Sequence, residues 1–211
     1  MRITEIFFSI QGESTHAGRP CVFIRLTGCP LRCTWCDTAY AFHGGTDRSL
    51  DSILSEIEPY GCRLVEITGG EPLAQPEVHM LISALADRGY TVLLETSGAL
   101  DIGPVDPRAT IIMDLKCPGS GMADKNAWDN LAKLKPADEI KFVIKDRADY
   151  DWARTVLREH RLADRHTVLF SPVFGDMDPQ ALAEWILADR LPVRYQTQLH
   201  KHIWHPAARG V

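Results

Sequence analysis

Residues Cys29-Pro-Leu-Arg-Cys33-Thr-Trp-Cys36 place three thiols within one short loop, in the spacing C-x3-C-x2-C. Thiolates are soft ligands that suit iron–sulfur clusters and zinc. A closed structural metal site takes four ligands. The loop therefore predicts a soft-metal site with one position left open. On a four-iron cluster, that position is an iron that can bind a small molecule.

Segments that favour strands alternate with segments that favour helices. The predicted strands are 3–10, 21–26, 64–67, 91–96, 110–115, 139–144, 167–171 and 193–197, and the predicted helices are 47–60, 78–88, 126–134, 149–160 and 179–187. This alternation indicates βαβ units and a mainly parallel sheet. About six repeats without a Gly-x-Gly-x-x-Gly motif favour an open, partial TIM-like barrel over a dinucleotide-binding fold. No linker separates a second unit, so we expect residues 1–211 to form a single α/β domain.

Polar residues follow several of these strands at the point where each strand ends. They are Thr68–Glu71, Glu95–Gly98, Asp114–Lys116, Ser171 and Gln196–His200. In such folds, ligands bind at the carboxyl ends of the strands. The two glycines of Thr68-Gly-Gly-Glu-Pro72 would let the backbone approach a ligand closely, and Glu71 could accept hydrogen bonds from an ammonium group. The sequence therefore predicts a ligand site at this edge of the sheet.

The composition excludes some partners. The 211 residues are 45% hydrophobic and 24% charged, with a net charge of −5 and no Lys/Arg cluster, which argues against a nucleic-acid partner. No apolar stretch is long enough for a signal peptide or a membrane span. The remaining cysteines, Cys21, Cys62 and Cys117, are scattered and form a poor disulfide framework. We therefore expect a reduced, cytoplasmic protein without a membrane partner, in which these three are small buried hydrophobes.

A structural zinc knuckle is the non-enzymatic alternative for the thiol loop. His43 or Cys62 would then be the fourth ligand, and the chain would be a zinc-stapled binding module. Zinc modules usually provide two ligand pairs, and the chain has no second C-x2-C pair. The spacing therefore favours a cluster.

Together, the thiol loop and the turn at 68–72 resemble the radical S-adenosylmethionine superfamily. The resemblance implies that Cys29, Cys33 and Cys36 hold a [4Fe–4S] cluster whose open iron is chelated by the methionine moiety of S-adenosylmethionine. Trp35 would lie beside the adenine, and Lys116 is a candidate partner for the methionine carboxylate. The full set of implied cofactor contacts is Trp35, Cys36, Asp37, Gly69, Gly70, Glu71, Glu95, Ser97, Asp114, Leu115, Lys116, Ser171, Pro172, Val173 and Phe174.

A narrower resemblance covers nearly the whole chain and is to the 7-carboxy-7-deazaguanine synthase family of deazapurine (queuosine) biosynthesis. Its most specific motifs are Ile10-Gln-Gly-Glu13 and Cys36-Asp-Thr38. It implies a radical-mediated ring contraction of 6-carboxy-5,6,7,8-tetrahydropterin to 7-carboxy-7-deazaguanine with loss of ammonia. The enzyme would be a carbon–nitrogen lyase in which no protein side chain acts as the acid or base. Thr38 would help to hold Mg²⁺, a flavodoxin or ferredoxin would donate electrons, and the chain would form a homodimer.

The same resemblance implies substrate contacts from both ends of the chain. They are Ile10, Gln11, Gly12, Glu13, Arg25, Thr68, His200 and the C-terminal carboxylate of Val211. Arg25 is unusual within a predicted strand. Its guanidinium suits the planar carboxylate of the substrate, and the alternative is an outward surface arginine.

The C-terminal tail, from about residue 198 to residue 211, is expected to fold back over the active site. His16, His79, His160 and His166 are expected on the surface. A glycyl-radical-enzyme activase shares the short radical scaffold and is the second enzymatic candidate, although the Gln-Gly-Glu and Cys-Asp-Thr motifs count against it.

Overall fold

Nine strands form one open sheet in the order β3-β1-β2-β4-β5-β6-β7-β8-β9 in the computed structural model, which describes residues 1–211. The strands are β1 (Arg2–Ile10), β2 (Pro20–Leu26), β3 (Thr46–Asp47), β4 (Leu64–Gly69), β5 (Thr91–Thr96), β6 (Thr110–Asp114), β7 (Glu139–Ile144), β8 (Thr167–Pro172) and β9 (Arg194–Tyr195). Neighbours from β2 to β9 are parallel, whereas β1 pairs antiparallel with both β2 and β3. The two edge strands have two residues each, and the sheet does not close. The prediction of an open, mainly parallel sheet is confirmed.

Five helices connect or follow these strands. They are α1 (Leu50–Ile57), α2 (Val78–Asp87), α3 (Arg147–Glu159), α4 (Pro179–Ala188) and α5 (His200–Ile203). Side-chain oxygens of Ser49, Asp146 and Asp178 accept hydrogen bonds from backbone N–H groups in the first turns of α1, α3 and α4. These caps satisfy donors that have no partner within the helix and so fix where each helix begins.

The two faces of the sheet bury different residues. On the helix face, alternate residues such as Val65 and Ile67 of β4 pack with α1 and α2 into the main hydrophobic core. On the opposite, inner face, a smaller apolar cluster lies near the starts of the strands and comprises Phe7, Cys21, Phe23, Leu64, Leu93, Ile112 and Leu169. Beyond this cluster, toward the carboxyl ends, the inner positions become polar: Arg25, Glu66, Thr68, Glu95, Asp114, Lys141 and Ser171. The period-two alternation of the strands therefore separates a core from a polar interior.

The predicted helix over 126–134 is wrong. The structure has only a short 3-10 turn at Trp128–Ala132. The amide of Asn130 donates to the carbonyl oxygens of Gly98 and Leu100, at 3.1 and 2.7 Å, and the amide of Asn126 donates to that of Lys116. These side chains tie the segment to neighbouring loops and compete with a regular helix.

Three smaller expectations also differ. The predicted helix at 47–60 is shorter because Asp47 pairs with Arg2 in β3 and Pro59 lies in a 3-10 turn after α1. Met80, which helical spacing predicts on the same apolar face of α2 as Leu81 and Leu85, is 59% exposed. His166 is buried, with Nδ1 3.1 Å from the carbonyl oxygen of Lys135. No helix has the length and apolar character needed to cross a membrane.

Candidate active site

A cavity of about 590 Å³ opens at the carboxyl ends of the strands, which is within the usual range for small-molecule sites. It is lined by the sequence-predicted residues Ile10, Gln11, Glu13, Arg25, Cys29, Cys33, Trp35, Cys36, Asp37, Thr38, Thr68, Gly69, Gly70, Glu95, Ser97, Asp114, Lys116, Ser171, Val173, Phe174, His200 and Val211. Four predicted residues do not line it: Gly12, Glu71, Leu115 and Pro172. The fold thus gathers segments from both ends of the chain around one space.

The thiol loop begins where the glycine turn packs against it. A Cβ atom on Gly70 would lie 2.2 Å from the carbonyl oxygen of Gly28 and 2.9 Å from Cβ of Cys29. The N–H of Glu71 donates to that same Gly28 oxygen at 2.8 Å. On its other side, the loop is held by Thr34, which donates to the carbonyl oxygens of Gly119 and Ser120. Only a glycine at position 70 lets the turn after β4 pack this closely against Gly28 and Cys29.

Lys116 is the one positive charge that acts on all three thiols. Burial raises the pKa of Cys29, Cys33 and Cys36, and the ammonium of Lys116 acts in the opposite direction on all three. Lys116 Nζ is 2.7 Å from Oδ2 of Asp114 at the end of β6. A positive group beside thiolate ligands compensates part of their negative charge.

The sequence predicts that Glu71 faces a ligand, but in the structure it does not line the cavity. Its side chain is fully buried, and its carboxylate accepts hydrogen bonds from Leu73 N, Thr96 Oγ1, Ser97 N and Ser97 Oγ, at 2.5 to 3.0 Å. These four donors leave it no place for an ammonium group of a ligand. In this structure the residue joins the turn after β4 to the turn after β5.

The other three predicted residues that do not line the cavity are Gly12, Leu115 and Pro172. A Cβ atom on Gly12 would lie 2.1 Å from Nδ1 of His200, so Gly12 makes room for that ring. Leu115 points into the main core on the helix face, and Pro172 is buried at the end of β8. Only their backbone atoms could contact a ligand.

Arg25 faces the cavity, with a side chain that is 15% exposed, so the outward-arginine alternative is wrong. Its Nε donates to Glu5 Oε1 at 2.7 Å, and the hydroxyl of Tyr40 donates to the same oxygen at 2.7 Å. Its Nη1 and Nη2 make no hydrogen bond within the protein. The fork of the guanidinium is therefore free to pair with an anionic group.

Lys141 is a cavity residue that the sequence reasoning did not single out as a site residue. Its ammonium contacts Glu13 at 2.8 Å and also contacts Glu95. The hydroxyl of Thr68 donates to the second oxygen of Glu95 at 3.2 Å. Burial alone would raise the pKa of Glu95, but Lys141 holds it below its usual value. Lys141 could have been found in the same way as Arg25, because it is a charged residue within the predicted strand Glu-Ile-Lys-Phe-Val-Ile.

The C-terminal tail contacts both predicted ligand-binding segments. Gln198 Nε2 lies 3.0 Å from Glu13 Oε1 and 3.2 Å from Asp37 Oδ2, and Lys201 Nζ is 2.6 Å from Asp37. The guanidinium of Arg209 lies 4.0 Å from the ring centre of Tyr40. Residues Ala208 to Val211 line the cavity. The tail therefore packs against the residues that directly follow the thiol loop, and both segments line one space.

The geometry does not provide a single-ion zinc site. No three His, Cys, Asp or Glu side chains converge as one metal ion requires. Cys62 lines a separate, smaller cavity with Phe8 and Tyr60, and His43 is exposed outside the main cavity. In a cluster each cysteine binds a different iron, so its three thiols need not converge on one point.

The chain is similar in sequence and in fold to proteins of known function. The model of the Radical SAM superfamily matches residues 23–115. The chain is 49% identical to 7-carboxy-7-deazaguanine synthase of Chlorobaculum tepidum over all of this chain and 97% of that protein. It is 47% identical to the enzyme of Koribacter versatilis over the full length of both. The crystal structure of QueE from Escherichia coli matches with a TM-score of 0.77 at 25% identity, covering 94% of each chain.

The chain belongs to the 7-carboxy-7-deazaguanine synthase family. Radical SAM enzymes use a [4Fe–4S] cluster and S-adenosylmethionine, and the synthases of this family also use Mg²⁺. The residues present fit these groups. Three thiols and Lys116 lie close together in the lining of the cavity, and the oxygens of Asp37 and Thr38, which directly follow Cys36 and suit Mg²⁺, line the same cavity.

Proposed function

We propose that this chain is a 7-carboxy-7-deazaguanine synthase, a radical SAM lyase that contracts the ring of 6-carboxy-5,6,7,8-tetrahydropterin and releases ammonia. The observation that carries the proposal is the single cavity with two chemically different ends. One end holds three thiols and a lysine, and the other holds an unpaired guanidinium fork among carboxylates. Such a space can hold a cluster-bound cofactor next to a small, polar, anionic substrate.

Cofactor and substrate divide between these ends. Cys29, Cys33 and Cys36 would hold the cluster, and the cluster with S-adenosylmethionine would supply the radical chemistry that starts at C6 of the pterin. The backbone at Gly69–Gly70 lies open to the cofactor, and Lys116 is suited to its carboxylate. Trp35, Glu95, Ser97, Ser171, Val173 and Phe174 complete this end of the cavity.

At the substrate end, Arg25 binds the pterin carboxylate through its free Nη groups. Gln11, Glu13, Thr68 and His200 present hydrogen-bonding groups around the ring. Thr38 would hold Mg²⁺ together with water and substrate oxygens. The protein orients the reactants and excludes water and competing hydrogen donors.

The C-terminal tail acts as the wall that closes the substrate end of a single domain. The contacts of Gln198 and Lys201 with Glu13 and Asp37 support this role. A flavodoxin or ferredoxin as electron donor, a homodimer and a cytoplasmic location complete the proposal.

Anaerobic reconstitution followed by turnover tests the proposal. About four irons and four sulfides per chain are expected, with formation of 7-carboxy-7-deazaguanine from the carboxypterin. One zinc per chain and no iron would indicate a binding module. A full cluster that cleaves S-adenosylmethionine but leaves the pterin unchanged would indicate an activase.

A further inference from the structure

Glu66 stands apart from the other acidic residues of the cavity. It lies at an inner position of β4, the residue is 5% exposed, and it lines the cavity. The other carboxylates of the cavity that are buried or half-buried each contact a lysine: Glu13 and Glu95 contact Lys141, and Asp114 contacts Lys116. Glu66 has no cation within contact distance.

The hydrogen bonds of Glu66 are also incomplete. Its Oε2 accepts one hydrogen bond, from Nε2 of Gln11, and its Oε1 accepts none. The orientation of Gln11 is fixed because its Oε1 accepts from the N–H of Glu13 at 3.1 Å. Burial, together with the nearby carboxylate of Glu95, raises the pKa of Glu66 well above its ordinary value. A buried carboxylate with one neutral donor is costly unless a ligand supplies further donors.

The surroundings of Glu66 suit a flat ligand. Phe23 pairs with Glu66 across β2 and β4, and Phe7 stacks on Phe23 with ring centres 4.9 Å apart. Arg25 lies two residues further along β2, a distance of about 7 Å. Glu66, which can accept hydrogen bonds from N–H groups, and Arg25, which can bind a carboxylate, therefore lie close together on one wall of the cavity.

We propose that Glu66 binds the amidine-like edge of the pterin, formed by its 2-amino group and the adjacent ring N–H. Two parallel N–H donors match the two oxygens of a carboxylate, as in a bidentate guanidinium pair. Glu66 thereby selects a 2-aminopyrimidine over a 2-oxo analogue. This inference rests on the proposed function and adds the residue that recognises the ring.

Equilibrium binding of two stable ligands tests the assignment. The ligands are 6-carboxypterin and 6-carboxylumazine, which carries a 2-oxo group in place of the 2-amino group. The protein is reconstituted with its cluster and saturated with S-adenosylmethionine. Wild type is expected to bind the pterin about 10- to 100-fold more tightly, because the 2-oxo group faces a carboxylate without a donor. In Glu66→Gln this preference falls below about threefold, since the amide can donate to the 2-oxo group.

Glu139→Gln is the matched control. Glu139 is also buried on the inner face, but it accepts hydrogen bonds from Thr15 and does not line the cavity. This variant should keep the wild-type preference. A Glu66→Gln protein with an intact cluster and an undiminished preference overturns the role of Glu66 and leaves the proposed function standing. Equal binding of both ligands by wild type overturns the role of Glu66 without any variant. Binding of neither ligand by wild type overturns both proposals.

Discussion

Arg25, Glu66 and Lys141 are charged residues at inner positions of strands that are otherwise largely apolar. Strand β7 carries a second charged residue, Glu139, near its start. Parallel pairing of neighbouring strands brings these charges to one face of the sheet. Arg25 could be recognised from the sequence because an arginine within a strand lacks an obvious reason to be there. The partners of Glu66 and Lys141 could not be recognised, because they depend on which strands become neighbours.

Replacing Arg25 tests its role at the level of a single contact. Arg25→Ala should raise the KM for the carboxypterin by about 10- to 100-fold, because a charge-assisted bidentate pair is lost. Tyr40→Phe keeps Arg25 but removes one of the two donors to Glu5, and should raise KM by less than about fivefold. Iron content should be unchanged in both variants. An unaltered KM in Arg25→Ala would show that the substrate carboxylate binds elsewhere.

The raised pKa of Glu66 predicts a pH dependence of stability. A carboxyl group whose pKa is higher in the folded state contributes stability that is present below its unfolded pKa. This contribution is lost as the pH rises through the folded pKa. Between pH 5 and pH 8, the Tm of wild type should therefore fall relative to that of Glu66→Gln, by at least about 2–4 °C. Anaerobic thermal unfolding measures the difference, and parallel Tm curves for the two proteins would contradict it.

At the scale of elements, the turn after β4 sets the position of the thiol loop. Gly70→Ala introduces a Cβ atom into the carbonyl oxygen of Gly28 and displaces Cys29. We expect a folded protein with a Tm lowered by a few degrees, about 1–3 kcal/mol of overpacking, that loses most of its iron. Iron analysis and circular dichroism report these two effects.

Gly89→Ala is the control for the Gly70 variant. Gly89 has φ +77° and follows α2, and an added Cβ atom would meet nothing within 4 Å. This variant should lose about 1 kcal/mol of stability through backbone strain and keep its full iron content. Equal iron content in both variants would contradict the account of the turn.

The strands were predicted from the sequence more accurately than the connections. Short, largely apolar runs identify β4, β5, β7 and β8, because the side chains of these strands are buried on both faces of the sheet. The segment at 126–134 has helical spacing, yet Asn126 and Asn130 bond to distant loops. Hydrogen bonds to distant loops produce no periodic pattern in the sequence, so the absence of a regular helix here could not be predicted.

At the scale of the whole molecule, the site depends on segments that are far apart in the sequence. Glu13 and Gln198 meet across 185 positions, and Asp37 and Lys201 across 164. Motif resemblance found most residues of the cavity, including His200 and Val211. It did not find Lys201, Arg209 or Tyr40, whose roles follow only once the tail has folded against the thiol loop.

The position of Val211 predicts an asymmetry between the two ends of the chain. A C-terminal tag should lower kcat/KM by more than about tenfold, because it extends the chain from a residue that lines the cavity. An N-terminal tag should have little effect, since the Met1 amino group bonds to the carbonyl oxygen of Arg48, away from the cavity. Steady-state kinetics of the two tagged proteins measures this, and equal activities would rule out a role for the C-terminal carboxylate.

Anaerobic single turnover of 6-carboxy-5,6,7,8-tetrahydropterin shows directly whether this chain performs the ring contraction. The reconstituted chain is mixed with reductant, S-adenosylmethionine, Mg²⁺ and a limiting amount of the pterin, and the products are analysed by mass and by ammonia assay. We expect 7-carboxy-7-deazaguanine and ammonia in equal amounts. Unchanged pterin in the presence of a complete cluster and cleaved S-adenosylmethionine would contradict this expectation.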